Sequence, residues 1–195
     1  MELTFENIQK ILSTVSSISL TTAKRLFPHT EIITIKKNTH IENDGTYSKY
    51  EFFVLNGTLR SYLYSNRGDD VTIDFHTAMQ PIPAALLRTM GGKSFVNIEV
   101  ISETAEIMLF SQKGMAENLQ GITDLETYGF RLIMHYAFEK AEREKLMITA
   151  TGKEKLAWFR RKYPNLENQI PHYYIASFLG ITPTSLSRLR KLSVS

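Results

Sequence analysis

The chain has 195 residues, 43% of them hydrophobic and 22% charged, the balance of a soluble globular protein with a core of its own. It has no cysteine, which excludes disulfides, thiolate zinc sites, iron–sulfur clusters and cysteine nucleophiles. The net charge of +3 is unevenly spread: residues 151–195 hold eight Lys and Arg against two acids, whereas residues 1–150 hold fifteen against eighteen, and a basic end on a mildly acidic body suits a polyanionic partner.

Leu3, Phe5, Ile8, Ile11 and Leu12 recur at helical spacing, and Leu20, Ala23, Leu26 and Phe27 follow before Pro28, so residues 3–27 predict helices. Glu2 and Glu6 replace the positive start of a signal peptide, and no apolar run approaches the ~20 residues that span a bilayer. A cytoplasmic protein without membrane contact is expected. From about residue 30 the period changes to two, with Ile33 and Ile35 alternating. "EFFVLNGTLRSYLYS" reads as two strands joined by a tight hairpin at Asn56-Gly57. "SNRGDD" is a second turn, "VTIDFH" a further strand, and "SFVNIEVISETAEIMLFS" returns to strand. Short antiparallel strands punctuated by turns predict a β sandwich or roll.

Residues 123–148 predict one long helix with two apolar stripes. One stripe carries Leu125, Tyr128, Leu132 and Tyr136; the other carries Phe130, Ile133, Met134, Ala137, Ala141 and Ile148. A surface helix needs one stripe, so the second is expected to meet the same helix of another copy across a two-fold axis. Leu125, Tyr128, Leu132 and Tyr136 are taken as the dimer face, although periodicity alone does not choose between the stripes. "TATG", residues 149–152, reads as a hinge. The helix "KEKLAWFRRKYP" follows, with Leu156 and Phe159 inward and Arg160–Lys162 outward.

The end of the chain is the most specific signal. A helix-turn-helix needs a small residue where its helices cross, glycine at the turn, and apolar residues locking the pair. Ala176 and Gly180 supply the first two, and Ile175, Leu179, Ile181, Leu186 and Leu189 the rest. Thr182 is the expected N-cap and Pro183 the first helical residue. With Leu186 and Leu189 buried, Thr184, Ser185, Ser187, Arg188 and Lys191 face outward, where they can meet base edges and phosphates in a major groove.

The order of helices, β-roll, long helix, hinge and basic helix-turn-helix resembles the Crp/Fnr superfamily of bacterial transcription regulators over essentially the whole chain. "ITIKKNTHIENDGTYSKYEFFVLNGTLRSYLYSNRGDDVTIDF" looks like the family's opening β-roll, and "IPHYYIASFLGITPTSLSRLRK" like its reading head. The resemblance implies an α+β fold: a double-stranded, jelly-roll-like β-roll akin to a cyclic-nucleotide-binding domain over residues 1–122, a dimerisation helix over 123–148, and a helix-turn-helix domain over 149–195. It also implies a homodimer reading an imperfect palindrome in double-stranded DNA, with RNA polymerase and a small-molecule effector as further partners of the family. Thr182, Pro183, Thr184, Ser185, Ser187, Arg188 and Lys191 would form the DNA face. Arg188 falls on the family's usual arginine, while Pro183 and Thr184 replace an Arg-Glu pair, so a different operator is implied.

Family members that bind cyclic nucleotides carry a Gly-Glu pair and an Arg followed by Ser or Thr. Here Ile82-Pro83 and Phe95-Val96 stand in those places, and burying a phosphate against them is costly. Ile82, Pro83, Ala84, Arg88, Phe95 and Val96 are therefore expected to line a degenerate effector pocket, with Arg88 and Lys93 the nearby cations. No cofactor is expected. His29, His40, His76, His135 and His172 are scattered, without the His-x-His spacing of a metal-dependent cupin, and no nucleophile elbow, P-loop or dinucleotide fingerprint occurs. An enzyme is not expected. The competing readings are a cyclic-nucleotide-responsive module, or an interaction module that keeps the fold without reading DNA. Longer members continue into a β-hairpin wing, whereas only "LSVS" follows Lys191, which implies fewer phosphate contacts.

Overall fold

Alternation along the central strands feeds two cores at once. In the computed structural model, which describes residues 1–192, β3 (Tyr50–Asn56) sends Phe52 and Val54 to one side and Phe53 and Leu55 to the other. All four are buried, which is why the segment reads as a nearly continuous apolar run. Residues 193–195, on which the expectation of a wingless end rests, lie outside the described residues.

Among the described residues, eight strands make two four-stranded sheets. The first has the order β1 (Thr30–Lys36), β8 (Thr104–Ser111), β3, β6 (Gln80–Ile82); the second β2 (His40–Glu42), β7 (Asn97–Val100), β4 (Leu59–Tyr64), β5 (Asp70–His76). All paired strands are antiparallel. Leu59, Ile98, Val100, Ile107 and Leu109 join Phe52 and Val54 in the core between the sheets. The outer face of the first sheet is covered by α1 (Phe5–Leu12) and α2 (Leu20–Leu26), whose Ile8, Ile11, Ala23 and Leu26 pack on Phe53 and Met108.

Asn56-Gly57 is not the hairpin its sequence suggests. β3 and β4 belong to different sheets, so the dipeptide turns the chain from one sheet to the other. Gly57 has φ +90°, and a Cβ there would lie 2.6 Å from the Thr104 carbonyl oxygen. Positive φ and close approach both demand glycine, and neither tells a hairpin from a corner. The expected turn at "SNRGDD" does join paired strands, with Tyr64 opposite Asp70.

After α3 (Gln112–Asn118), α4 runs 27 residues from Thr123 to Thr149, about 40 Å at 1.5 Å per residue. Two residues separate it from α5 (Gly152–Lys162), which starts with a reciprocal cap between Thr151 and Glu154. α6 (His172–Phe178) and α7 (Pro183–Leu192) follow. Leu156, Trp158, Phe159, Ile175, Ala176, Phe178, Leu179 and Leu186 bury one another, and Phe75 of β5 and Ile101 of the roll enter the same core. The C-terminal helices are thus packed onto the second sheet.

The structure corrects the choice of stripe on α4. Leu125 and Tyr128 pack on the core beneath α1 and α2. Leu132 faces the roll segment that carries Pro81 and Pro83, and Tyr136 is buried with its hydroxyl on Asp74. The expected dimer face therefore packs on the chain's own body. Phe130, Phe138 and Ile148 are instead 65%, 68% and 77% exposed. The two stripes are similarly apolar, and only the polar demand of the Tyr136 hydroxyl distinguishes them.

Candidate nucleic-acid interface

α7 starts as its first residues dictate: the Thr182 side-chain oxygen accepts from the Ser185 backbone N–H at 3.1 Å, and Pro183 occupies the first turn. Gly180 turns the chain at φ +63°, and the Ile181 N–H returns to the Ala176 carbonyl at 3.0 Å. Ala176 is fully buried at the crossing, Leu186 locks the pair from α7, and Ile181 and Leu189 pack beside it. Thr182, Pro183, Thr184, Ser187, Arg188 and Lys191 are exposed, and Ser185 is half-buried. Arg188 and Lys191 have no hydrogen-bond or salt-bridge partner among the described residues.

Arg160, Lys162 and Arg190, near this face, are already engaged. Glu167 accepts from Arg160 Nε at 2.6 Å and from Arg190 Nε at 2.7 Å. The hydrogen bond from Arg160 comes first among the effects that hold the Glu167 carboxyl below its ordinary value, and Arg190 adds to it. Lys162 lies 3.1 Å from Glu139 of α4. The expectation that Arg160–Lys162 all face outward is therefore corrected: Arg161 is exposed, whereas its two neighbours join elements together. Glu167 is one of two acids in the basic segment, a signal that marks it as a probe of which arginines stay free.

A second set of contacts orients this head on the roll. Asp74 of β5 is buried; its Oδ2 accepts from the Tyr136 hydroxyl at 2.6 Å and its Oδ1 from the Tyr163 hydroxyl at 2.9 Å. Lys140 lies 3.9 Å away. Burial alone would raise the Asp74 carboxyl, but His76, Lys140 and the Tyr136 hydroxyl outweigh it and hold it below its usual range. Burial pushes His76 down, so it is neutral near pH 7; its Nε2 lies 2.7 Å from Ser61 Oγ. Phe75 sits edge-on to Phe159, Tyr163 and Phe178. Arg143 of α4 donates to the Phe178 carbonyl at 2.8 Å and lies over that ring. The Thr72 N–H donates to Ser177 Oγ at 3.0 Å, and the Arg60 guanidinium lies 3.7 Å from the centre of Tyr174. One carboxylate thus joins β5, α4 and the residue that ends α5. Asp74, Tyr163 and Arg143 were missed in the sequence, where the acid in "VTIDFH" looks like one more outward polar residue of an alternating strand.

The expected effector pocket is dispersed. Ile82, Ala84 and Val96 are buried in the roll core with Leu87 and Ile98, while Phe95 is 39% exposed. Arg88 is no free cation for a phosphate: its Nη1 donates to Glu51 at 2.5 Å, its Nη2 to the Tyr50 carbonyl at 2.6 Å, and Glu42 lies 4.0 Å away. The Glu51 carboxylate pairs with this guanidinium and Glu42 lies beside it, so Arg88 has no charge to spare for a phosphate. Lys93 lies over the Tyr47 ring. Ile82 and Pro83 face a separate apolar cavity beneath α4. Among the described residues no group of three or more His, Cys, Asp or Glu is placed to hold a metal ion, and no helix is long and apolar enough to cross a membrane.

No protein-family model matches the sequence, and none of the curated proteins does. Solved structures do match. FixK2 from Bradyrhizobium japonicum superposes with a TM-score of 0.72 at 15% identity, over 84% of this chain and 83% of that one. A candidate Crp/Fnr-family transcriptional regulator from Eubacterium rectale gives 0.71 at 18% identity, over 91% and 84%. CLP of Xanthomonas campestris, a global regulator responsive to cyclic di-GMP, gives 0.69 at 10% identity, over 90% and 92%. The chain therefore has the Crp/Fnr fold, an α+β arrangement of antiparallel sheets and helices.

Proposed function

We propose that the chain is a sequence-specific DNA-binding transcriptional regulator, acting as a homodimer and not as an enzyme. The observation that carries this reading is the outward face of α7, where Thr184, Ser187, Arg188 and Lys191 are exposed on a locked helix-turn-helix while Arg160 and Arg190 are held back by Glu167. A rigid helix presenting hydroxyls, a guanidinium and an ammonium fits a major groove, and its capped N-terminus suits a phosphate. Thr182, Pro183 and Ser185 set its entry angle.

The dimer forms along the exposed side of α4. Phe130, Met134, Ala137, Ala141, Glu144 and Ile148 follow one another at spacings of four and three, the seam of a two-stranded coiled coil, and its alanines let two helices approach closely. Ala137 is exposed in the monomer, so Ala137→Glu disturbs little within one chain. Analytical ultracentrifugation is expected to show a dimer for the native chain and a monomer for this variant, with unchanged circular dichroism. A variant that remains dimeric places the interface elsewhere.

Cyclic AMP and cyclic GMP are poor candidates for an effector, because Arg88 is neutralised and Ile82, Ala84 and Val96 fill the roll. The test of the whole reading is selection of random DNA duplexes by the ligand-free protein at moderate salt. Enrichment of a palindrome with half-sites about one helical turn apart, ~34 Å, is the expected outcome. Retention of DNA without any sequence preference overturns specific reading by the free protein.

A further inference from the structure

A cavity of about 260 Å³ lies between the first half of α4 and the roll, walled by Phe52, Ile82, Phe110, Leu125, Tyr128 and Leu132. Phe110, Leu125 and Tyr128 belong to the helical layer outside the first sheet, and Phe52 and Ile82 close the cavity from the side of the roll core. A 150 Å³ cavity with comparable walls takes up benzene, so this one has room for a bicyclic aromatic or a branched aliphatic molecule.

Two observations say that the space is built. The first is Gly129, in the middle of α4 and on the cavity wall. A glycine there costs the helix about 1 kcal/mol relative to alanine. It has helical rather than positive φ, and a Cβ at this position would meet no atom within 4 Å. Neither turn geometry nor close packing demands it; its effect is to leave room. The second is the polar pair at the wall. Glu51 gives one oxygen, Oε1, to Arg88 and Gln112, at 2.5 and 3.1 Å, and its Oε2 makes no hydrogen bond with the described residues. The Tyr128 hydroxyl makes none either, and burial, then the Glu51 charge, push it up so that it stays protonated. An apolar chamber with one acceptor and one hydroxyl selects a ligand with an apolar body and a hydrogen-bond donor.

We propose that this cavity beneath α4 binds a compact, uncharged aromatic or aliphatic molecule carrying one hydrogen-bond donor. Pro81, Pro83 and Leu132 separate it from the recess of about 140 Å³ that holds Asp74 and Tyr136. An occupant therefore bears on the stretch of α4 that carries Tyr136 to Asp74. Binding here does not depend on whether α7 reads DNA.

The probe is 1-naphthol, with naphthalene as its donor-free counterpart, titrated into the full chain and followed by naphthol fluorescence and thermal melting. Naphthol is expected to bind at one site per chain and raise the melting temperature, as a ligand of the native state does, and naphthalene to bind more weakly. Gly129→Leu is the deciding variant. It places a side chain in the cavity and removes a helical glycine, so it is expected to melt no lower than the native chain while losing at least about tenfold in naphthol affinity. Gly129→Ala, which fills less of the space, is expected to retain binding. A native chain that takes up no naphthol, or uptake that Gly129→Leu leaves unchanged, overturns the proposal. Uptake only at dilutions where the chain is monomeric overturns it too, by showing that a second copy fills the cavity.

Discussion

Arg188→Ala is expected to abolish selective DNA binding while leaving the fold intact. Arg188 is exposed on α7 and has no hydrogen-bond or salt-bridge partner among the described residues, so its removal breaks nothing inside the chain. A bidentate arginine–guanine contact is worth about 1–3 kcal/mol of discrimination. A dimer on a palindrome loses it twice, so the expected loss is roughly 30-fold to more than 10⁴-fold on the selected operator. Weak, salt-sensitive binding to unrelated duplexes is expected to persist, because Lys191 and Arg161 remain. Electrophoretic mobility shift on operator and scrambled DNA, with circular dichroism alongside, reads both effects. An unchanged operator preference moves the reading residues elsewhere. Arg190→Ala provides a contrast: Arg190 bonds Glu167 and lies 3.0 Å from His172 Nδ1, so its loss shows first in stability.

Asp74→Asn is expected to produce the largest loss of stability. The carboxylate is buried, accepts two tyrosine hydroxyls and faces Lys140. Removing its charge leaves Lys140 without its buried counter-ion and turns one side of the group into an NH₂ that cannot accept. Breaking a buried charged cluster from one side costs about 3 kcal/mol or more, which for a chain of this size lowers the melting temperature by roughly 6–12 °C. The pH dependence has a definite sign. The folded carboxyl titrates below its ordinary value of 3.8, so its stabilisation is fully present above that value and is lost as pH falls through the lower, folded one. The native chain is expected to lose melting temperature from about pH 4 downward more steeply than Asp74→Asn does. A variant that melts like the native protein, with the same acid profile, removes Asp74 from the junction. Because this cluster joins three elements, its loss is also expected to loosen α5–α7 from the roll, read as faster proteolysis near Ala150 and Thr151.

Much of the architecture is legible in the residues because its causes are local. The caps at Thr182 and Thr151, the positive φ at Gly180 and the small Ala176 at a helix crossing each follow from side-chain size or hydrogen-bonding reach within a few positions. Period-two alternation from residue 30 likewise announces strands, because strand side chains alternate between faces wherever the strand ends up. The outward face of α7 is legible for the same reason: once Leu186 and Leu189 are assigned inward, helical geometry places Arg188 outside.

What stayed hidden depends on partners distant in the chain. Asn56-Gly57 looks the same at a hairpin and at a corner between sheets, and only the pairing of β3 with β8 and of β4 with β7 decides. The two stripes of α4 are similarly apolar, so the roll's Asp74, 62 residues before Tyr136, chose which one turns inward. Arg88 resembles a phosphate ligand until Glu51, 37 residues earlier, is seen to hold it. The sequence alone determined the kinds of elements, their order, and the chemistry that α7 offers outward, because these arise from propensity, periodicity and reach along the chain. Tertiary structure alone decided which cations remain free, which face of α4 stays exposed, and where a cavity opens, because each is a balance of charge or volume among segments that meet only on folding.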